Sequence, residues 1–339
     1  MTAAQDTVTM SLADASQLVK RAALGAGASR ETAASLARAT LAAEADGQAS
    51  VGLSHFVDYL DALEAGRIDG RAEPEISRPV PAIFLSDARG GAAHPGFDRV
   101  FEDMAAAAGA IGLAAFSQRN SFTCGALGYF TGRLAERGLV ALAATNGPAL
   151  VAGSGGSEAV YCTNPMSFAA PQADGPPLII DQSSSATAFV NVRRAAAEGR
   201  PIPDGWALDA SGKPTSDAAE AVKGTLLAFG GARGANIALM VEVLAAGLSG
   251  ANWSLDAPPF ASGSKGPGTG MFVLALDPRL FDRGFEERMR TQLRRLSDRY
   301  RVHIPGLAKA AARARSAADG VVVPRAVHDA VARRAAGQS

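Results

Sequence analysis

Residues 44–60 read EADGQASVGLSHFVDYL and hold His55, one of four histidines in a chain of 339 residues. An imidazole can take or give a proton near neutrality, so a histidine on such a stretch reads either as a proton-transfer site or as a packing edge. Anion chemistry is offered by GGARG at residues 230–234. Glycines let the backbone approach an anion, a helix opening there presents free N–H groups, and Arg233 adds a fork of donors; tight packing of a helix beneath a loop would use the same glycines. QRNSFTCGALGYF, residues 118–130, follows a predicted strand and opens a helix, where α/β enzymes bind ligands, and it sets Arg119, Asn120 and Ser121 at the strand's carboxyl end. Thr163, Asn164 and Pro165 in CTNP occupy a similar strand end, as does Asp181, followed by three serines, in DQSSS. Asp181 either orients a catalytic partner or caps the helix after it, and capping is the more economical reading.

Other polar residues read as structural. Glu242 lies inside an apolar helix, where a carboxylate must be paired or protonated, and a structural hydrogen bond explains it better than catalysis. Cys124 and Cys162 lack an adjacent histidine or lysine to lower a thiol pKa and read as small core residues. His94, His303 and His328 stand alone. No strict GxGxxG occurs, since GAGAS and GSGGSE both miss the last glycine, so an ordinary Rossmann crossover is unsupported.

The elements that must position these residues follow from hydrophobic spacing. Apolar positions three and four apart predict helices over 12–24 and 32–45, with Ser11-x-x-Asp14 as a helix start. A third helix begins near Ser54, puts Phe56, Tyr59, Leu60 and Leu63 on one face and ends at Gly66, which places His55 in its first turn. RAEPEISRPVPA, residues 71–82, has three prolines and no helical period and reads as a crossing between regions. Beyond it helices over 95–108, 125–137 and 185–198 alternate with strands over 111–116, 139–144, 159–168 and 178–180, the pattern of an α/β protein. Residues 230–250 are apolar on every side and predict a buried central helix; a glycine loop then leads to a strand over 271–276, and the remainder is charged amphipathic helix.

Composition narrows the function. Thirty-three basic residues balance thirty-three acidic ones, so no overall positive field exists for nucleic acid or an anionic membrane. Two cysteines make no disulfide framework, and no Cys/His group has metal-ligand spacing. The first ten residues lack an export pattern, and the most apolar run is interrupted by Glu242; a cytoplasmic location is expected.

Six stretches in order resemble the malate/L-lactate dehydrogenase family of NAD(P)H-dependent reductases that lack a Rossmann domain. ADG with Ser50-x-Gly52, Tyr59-Leu60 and AGRIDG is similar to that family's first active-site helix; RNSFTCGALGYF to its RNS-x-HFG-x-x-GYY; CTNP to GTNP; DQSSSA to D-x-ATS; FGGARG to GG-x-KG; and HIPG to RIPG. In texture, TLLAFGGARG and AAGLSGANWS most resemble the branch that reduces Δ1-piperideine-2-carboxylate and Δ1-pyrroline-2-carboxylate.

The resemblance implies an α/β, non-Rossmann NAD(P)-binding reductase fold: a mainly helical domain from residues 1–75 with 280–339, bearing substrate and dimer contacts, and a mixed-sheet cofactor domain over 76–279. It implies hydride transfer from the nicotinamide to a C=N or C=O beside a carboxylate, NADPH in preference to NADH, and a homodimer. The family's Ser-His pair and aspartate fall on Ser50, Val51 and Asp181, so the customary proton donor is missing. His55 stands where the substrate-binding arginine would, Thr123 at the histidine of HFG, and Arg233 at the lysine of GG-x-KG. His55 is thereby expected to bind or protonate substrate, with Tyr59 and Thr163 lining the pocket. The cofactor is expected on Ser121, Phe122, Thr123, Cys124 and Gly125, on Ser183 and Ser185, and on Arg233 and Gly234. A ketone needs a donor as it becomes an alkoxide, whereas an imine can arrive protonated, so a valine at 51 predicts a ketimine carboxylate substrate. The alternatives are a 2-hydroxy-acid dehydrogenase and a catalytically silent nucleotide-binding relative.

Overall fold

The computed structural model describes residues 6–337. Strand β1 (Thr7–Met10) precedes three helices, α1 (Leu12–Gly25), α2 (Arg30–Ala45) and α3 (Leu53–Glu64), and a hairpin, β2 (Glu75–Val80) with β3 (Ile83–Asp87). Next come α4 (His94–Ile111), β4 (Leu113–Ser121), α5 (Gly128–Ala135) and β5 (Val140–Thr145), then β6 (Val151–Ala152), β7 (Ala159–Tyr161), β8 (Met166–Ala170) and β9 (Leu178–Gln182). The middle holds α6 (Phe189–Ala197), β10 (Ala207–Leu208), β11 (Pro214–Thr215), α7 (Ala218–Lys223), β12 (Thr225–Leu226) and α8 (Ala232–Glu242), which runs into a π-helical turn over Val243–Gly247. The chain closes with β13 (Thr269–Leu276), α9 (Phe285–Arg294), α10 (Leu307–Asp319), β14 (Val321–Pro324) and α11 (Arg325–Ala336).

Local chemistry fixes the helix starts. Ser11 Oγ accepts the Asp14 N–H at 3.0 Å and Ser29 Oγ accepts the Thr32 N–H at 3.1 Å, each closing an open first turn. The apolar faces of α1 and α3 then pack Leu18, Val19, Phe56, Tyr59 and Leu60 with Val321, Val323 and Val331 from the far end of the chain. A second core, with Phe97, Met104 and Phe130 from the helices and Phe116, Val273 and Ala141 from the strands, seats α4 and α5 on the main sheet. A third gathers Val151, Val192, Ile202, Leu226 and Ala235 around the smaller sheet.

The main sheet has seven strands in the order β2-β3-β4-β13-β5-β8-β9, with β3 and β4 parallel and the other neighbours antiparallel. A five-stranded sheet runs β11-β10-β12-β6-β7, and β1 pairs with β14. The α/β reading holds. Among the described residues no helix is long and apolar enough to cross a membrane.

Besides strands the spacing did not predict, among them β1, β3, β10, β11, β12 and β14, three expected segments come out differently. The crossing at 71–82 contains an edge strand, β2, because an edge position leaves room for Pro79 without a lost ladder bond. The strand expected over 159–168 is two, β7 in the smaller sheet and β8 in the larger, broken where Asn164 turns to φ 34°. The apolar segment 230–250 is not buried all round: Leu239, Met240 and Val243 are 48%, 44% and 48% exposed, so its hydrophobicity includes a face that the described residues leave half open.

Candidate active site

β4, β5 and β9 end, and β8 and β13 begin, at one end of the main sheet, so the loops after Ser121, Thr145 and Gln182 meet there with 163–165. Strand carboxyl ends are where chain reversals leave polar backbone and side chains free to face a ligand. α3 comes down onto this end. Its first turn is fixed by Glu44 on α2, whose Oε2 accepts the Leu53 N–H at 2.7 Å. Burial pushes the Glu44 carboxyl above its ordinary range, with the Leu53 bond opposing. Gly52 is required beside it, because a Cβ there would overlap the Glu44 carboxylate.

α3 delivers His55 and Tyr59, one turn apart, to the segment after β4. His55 Nε2 lies 3.0 Å from Thr123 Oγ1, and its Nδ1 lies 2.9 Å from Asp58 Oδ2. Tyr59 donates to the Thr123 carbonyl at 3.0 Å and stands 3.1 Å from Thr123 Oγ1. Burial raises the Tyr59 phenol, so it remains a neutral O–H donor. Gly125 takes φ 65°, and a side chain there would meet the Tyr59 hydroxyl at 3.4 Å and the Val51 carbonyl at 3.8 Å. The question posed by His55 thus has a structural answer: the ring is half-buried and hydrogen-bonded at both nitrogens, at the site and not in the core.

The other expected catalytic residues surround the same loop without forming a relay. Ser50 is exposed, and its hydroxyl makes no hydrogen bond within the described residues; Val51 puts an aliphatic side chain where the resemblance calls for an imidazole. The economical expectation for Asp181 fails: α6 has no side-chain cap, and Asp181 instead accepts the Gly128 N–H at 2.8 Å, the first residue of α5. Burial raises the Asp181 carboxyl, while that backbone bond and the Lys309 charge draw it down.

Of the segment expected to hold the cofactor, Thr123 and Gly125 remain reachable. Ser121 donates to the Thr269 carbonyl at 3.2 Å, and Phe122 and Cys124 turn into the two cores, so these three can offer little beyond backbone. A second group forms around the smaller sheet. The Phe229 N–H donates to the Ser184 carbonyl at 3.1 Å, Ser185 bridges to Ala228, and Ser185 Oγ donates to the Thr187 carbonyl at 2.7 Å. Gly230 and Gly231 adopt φ 58° and 64°, Gly234 lies so close to the Phe229 carbonyl that no side chain fits, and Arg233 is exposed on the first turn of α8. Beside them lies a cavity of about 420 Å³ lined by residues 152–156 with Leu227, Ala228, Gly230, Gly231, Ala232 and Ala235.

The two groups are joined by Thr163, which the motif reading named, and flanked by Phe260, which it passed over. Thr163 gives its carbonyl to the Ser184 N–H at 2.8 Å, and Phe260 stands edge-on to the Phe122 ring, 5.8 Å between centroids. His94 is also more than a bystander. Its Nε2 lies 3.0 Å from the Cys124 carbonyl and its ring stacks on Phe130, while burial lowers its pKa to about 4 and Nδ1 stays unpartnered. Asp58 and Glu44 carried no motif, and the three-residue spacing to His55 is the signal that could have found Asp58. Glu242 is structural as expected, accepting from the Ser254 N–H at 2.6 Å and from Asn164 at 2.7 Å, and both cysteines are buried and free.

A mixed sheet without a Rossmann crossover, with an imidazole and hydroxyls at one strand end and a glycine-lined cavity nearby, defines a dehydrogenase-type oxidoreductase. Residues 10–332 match the malate/L-lactate dehydrogenase family, and the chain belongs to it. It is 38% identical over 323 residues to a (2R)-3-sulfolactate dehydrogenase (NADP(+)) of Chromohalobacter salexigens, covering 94% of this chain and 96% of that one. It is 36% identical to a Δ1-pyrroline-2-carboxylate/Δ1-piperideine-2-carboxylate reductase of Pseudomonas aeruginosa, covering 85% and 87%. The crystal structure of Δ1-piperideine-2-carboxylate reductase from Pseudomonas syringae superposes with a TM-score of 0.92 at 33% identity, over 97% of this chain and 100% of that one.

Proposed function

We propose that this protein is an NADPH-dependent reductase of ketimine carboxylates, cyclic imines such as Δ1-pyrroline- or Δ1-piperideine-2-carboxylate, giving a cyclic amino acid. The observation that carries the reading is the exchange of imidazoles: Val51 leaves Ser50 without a partner, while His55, one turn on, is held against Thr123 at 3.0 Å. A ketone accepting hydride becomes an alkoxide and needs a strong donor at that moment. A protonated imine accepts hydride to give a neutral amine, and losing the customary acid costs it less.

The dinucleotide suits the second group of residues. Positive-φ glycines and the excluded Cβ at Gly234 let a phosphate approach the backbone, the first turn of α8 presents free N–H groups, and Arg233 supplies a bidentate cation. When bound, the reduced nicotinamide supplies the hydride. His55 orients the substrate and holds a proton near it, Tyr59 and Thr163 line the pocket, and Phe260, packed on the Phe122 ring, forms an apolar wall that limits water. Ser50 and Asp181 keep supporting roles, with Asp181 fixing the start of α5. A homodimer in the cytoplasm fits this reading, with the exposed Leu239, Met240 and Val243 available to a second copy; sedimentation at twice 34.5 kDa checks the assembly.

Likeness to the sulfolactate dehydrogenase favours a second reading, oxidation and reduction of a 2-hydroxy acid. NADPH oxidation on preformed cyclic ketimines, amines mixed with 2-oxo acids, pyruvate, oxaloacetate and 3-sulfopyruvate separates the two. The proposal expects the cyclic ketimines to give the highest kcat/KM. Faster turnover of any 2-oxo acid would replace it with the second reading, and dinucleotide binding without turnover would make the protein a silent relative.

A further inference from the structure

We propose that Asp58, His55 and Thr123 form a proton-delivery row, in which the Thr123 hydroxyl hands a proton to the substrate nitrogen, His55 refills it, and Asp58 sets the ring's tautomer. The inference rests on the reductase reading above and deepens it. Asp58 Oδ2, His55 Nδ1, His55 Nε2 and Thr123 Oγ1 are linked by contacts of 2.9 and 3.0 Å. The spacing of three residues puts both charged members on one face of α3. The row also has a direction, because the Asp58 side chain is 68% exposed and the His55 ring 21%.

Donor counting fixes the sense of each bond. An ionised carboxylate only accepts, so His55 carries hydrogen on Nδ1, and Nε2 of the neutral ring accepts from Thr123. In the charged ring both nitrogens donate; Thr123 Oγ1 then accepts from Nε2, and its own hydrogen is free to point at a third group. Tyr59 spends its single hydrogen on the Thr123 carbonyl at 3.0 Å, so its oxygen, 3.1 Å from Thr123 Oγ1, is the acceptor that holds this hydrogen until a substrate nitrogen takes its place. The titratable groups facing His55 are Asp58 and Tyr59 on its own helix and His94 from α4; burial keeps the latter two uncharged near neutrality. Asp58 is therefore the group that sets the ring's tautomer and orientation.

The chemistry balances. A neutral imine nitrogen takes the Thr123 hydrogen, and Thr123 Oγ1 regains one from His55 Nε2, leaving a protonated C=N and a neutral ring. Hydride then adds to the carbon, the C=N π pair becomes the amine lone pair, and the dinucleotide leaves oxidised. Once product has left, a proton from solvent returns to Nε2 and restores the charged ring. His55 cannot bypass the threonine, because its Nε2 is already engaged by that hydroxyl.

The test combines turnover with a ring readout, using the full chain, NADPH and Δ1-piperideine-2-carboxylate. Thr123→Val should lower kcat by about tenfold or more, toward the range of a lost general acid, with the melting temperature kept, and Thr123→Ser should restore it. Asp58→Asn lets an amide N–H donate to Nδ1, so ring ¹⁵N shifts should move from the Nδ1–H tautomer to Nε2–H and kcat should fall. A Thr123→Val enzyme within about twofold of wild type, or a wild-type ring in the Nε2–H form, overturns the row. If the wild type reduces no ketimine, the reductase reading fails by itself, and the ring spectra of wild type and Asp58→Asn still judge the row.

Discussion

His94 shows how far a residue's role depends on what surrounds it. Burial is the main cause of its low pKa, about 4 against an ordinary 6.5, so the folded protein keeps the ring neutral where the unfolded chain would protonate it. Between those values the unfolded state binds the extra proton, and stability must fall as pH drops. From pH 7 to pH 5 the expected loss is roughly 2 kcal/mol, at 1.4 kcal/mol for each unit of displacement. His94→Phe keeps the stacking on Phe130 and gives up the bond to the Cys124 carbonyl. It should cost about 1 kcal/mol at pH 7 and lose less than wild type on acidification. Urea unfolding of both proteins at pH 7 and pH 5 checks this, and equal acid losses would show that His94 does not titrate as described.

The pairing of Glu44 with Gly52 sets the angle at which α3 enters the site. The carboxyl occupies the space a Cβ would need, and its bond to the Leu53 N–H closes the first turn. Gly52→Ala should therefore destabilise by about 1–3 kcal/mol, the usual cost of overpacking, and should reduce turnover because Ser50, Val51 and His55 move with the helix. Because burial raises the Glu44 pKa, the folded state holds a proton that the unfolded state has released, and stability is lost as pH rises through that window. Glu44→Gln, which still accepts from Leu53 and cannot ionise, should lose less stability than wild type from pH 4 to pH 7. Melting curves across that range, with turnover measured beside them, decide both points; a Gly52→Ala enzyme that melts and turns over normally would remove the claim.

At the scale of the molecule, two sheets meet where the chain passes from β7 to β8 through Thr163 and Asn164. Asn164 donates to Glu242 at 2.7 Å and to the Ala238 carbonyl at 2.8 Å, tying this crossing to α8. A dinucleotide reaching from Arg233 to Thr123 would touch both sheets and so stabilise the whole fold. NADPH at a hundred times its dissociation constant adds about 2.7 kcal/mol, enough to raise the melting temperature by several degrees. Arg233→Ala should reduce that rise, and more for NADPH than for NADH if the guanidinium meets the extra phosphate. An Arg233→Ala protein with an unchanged NADPH response would move the phosphate site elsewhere.

By itself the sequence determined the α/β class, the helix starts at Ser11 and near Ser54, the glycine loop before α8, the structural role of Glu242 and the family, because these rest on local spacing and on motifs in order. Only the tertiary structure decided that His55 meets Thr123 across 68 residues of chain, that Asp181 serves α5 and not α6, and that Ser121, Phe122 and Cys124 face inward. The division has a physical cause. Periodicity and capping act within a few residues, whereas hydrogen bonds between distant segments depend on strand order and register, which no stretch of the chain carries alone.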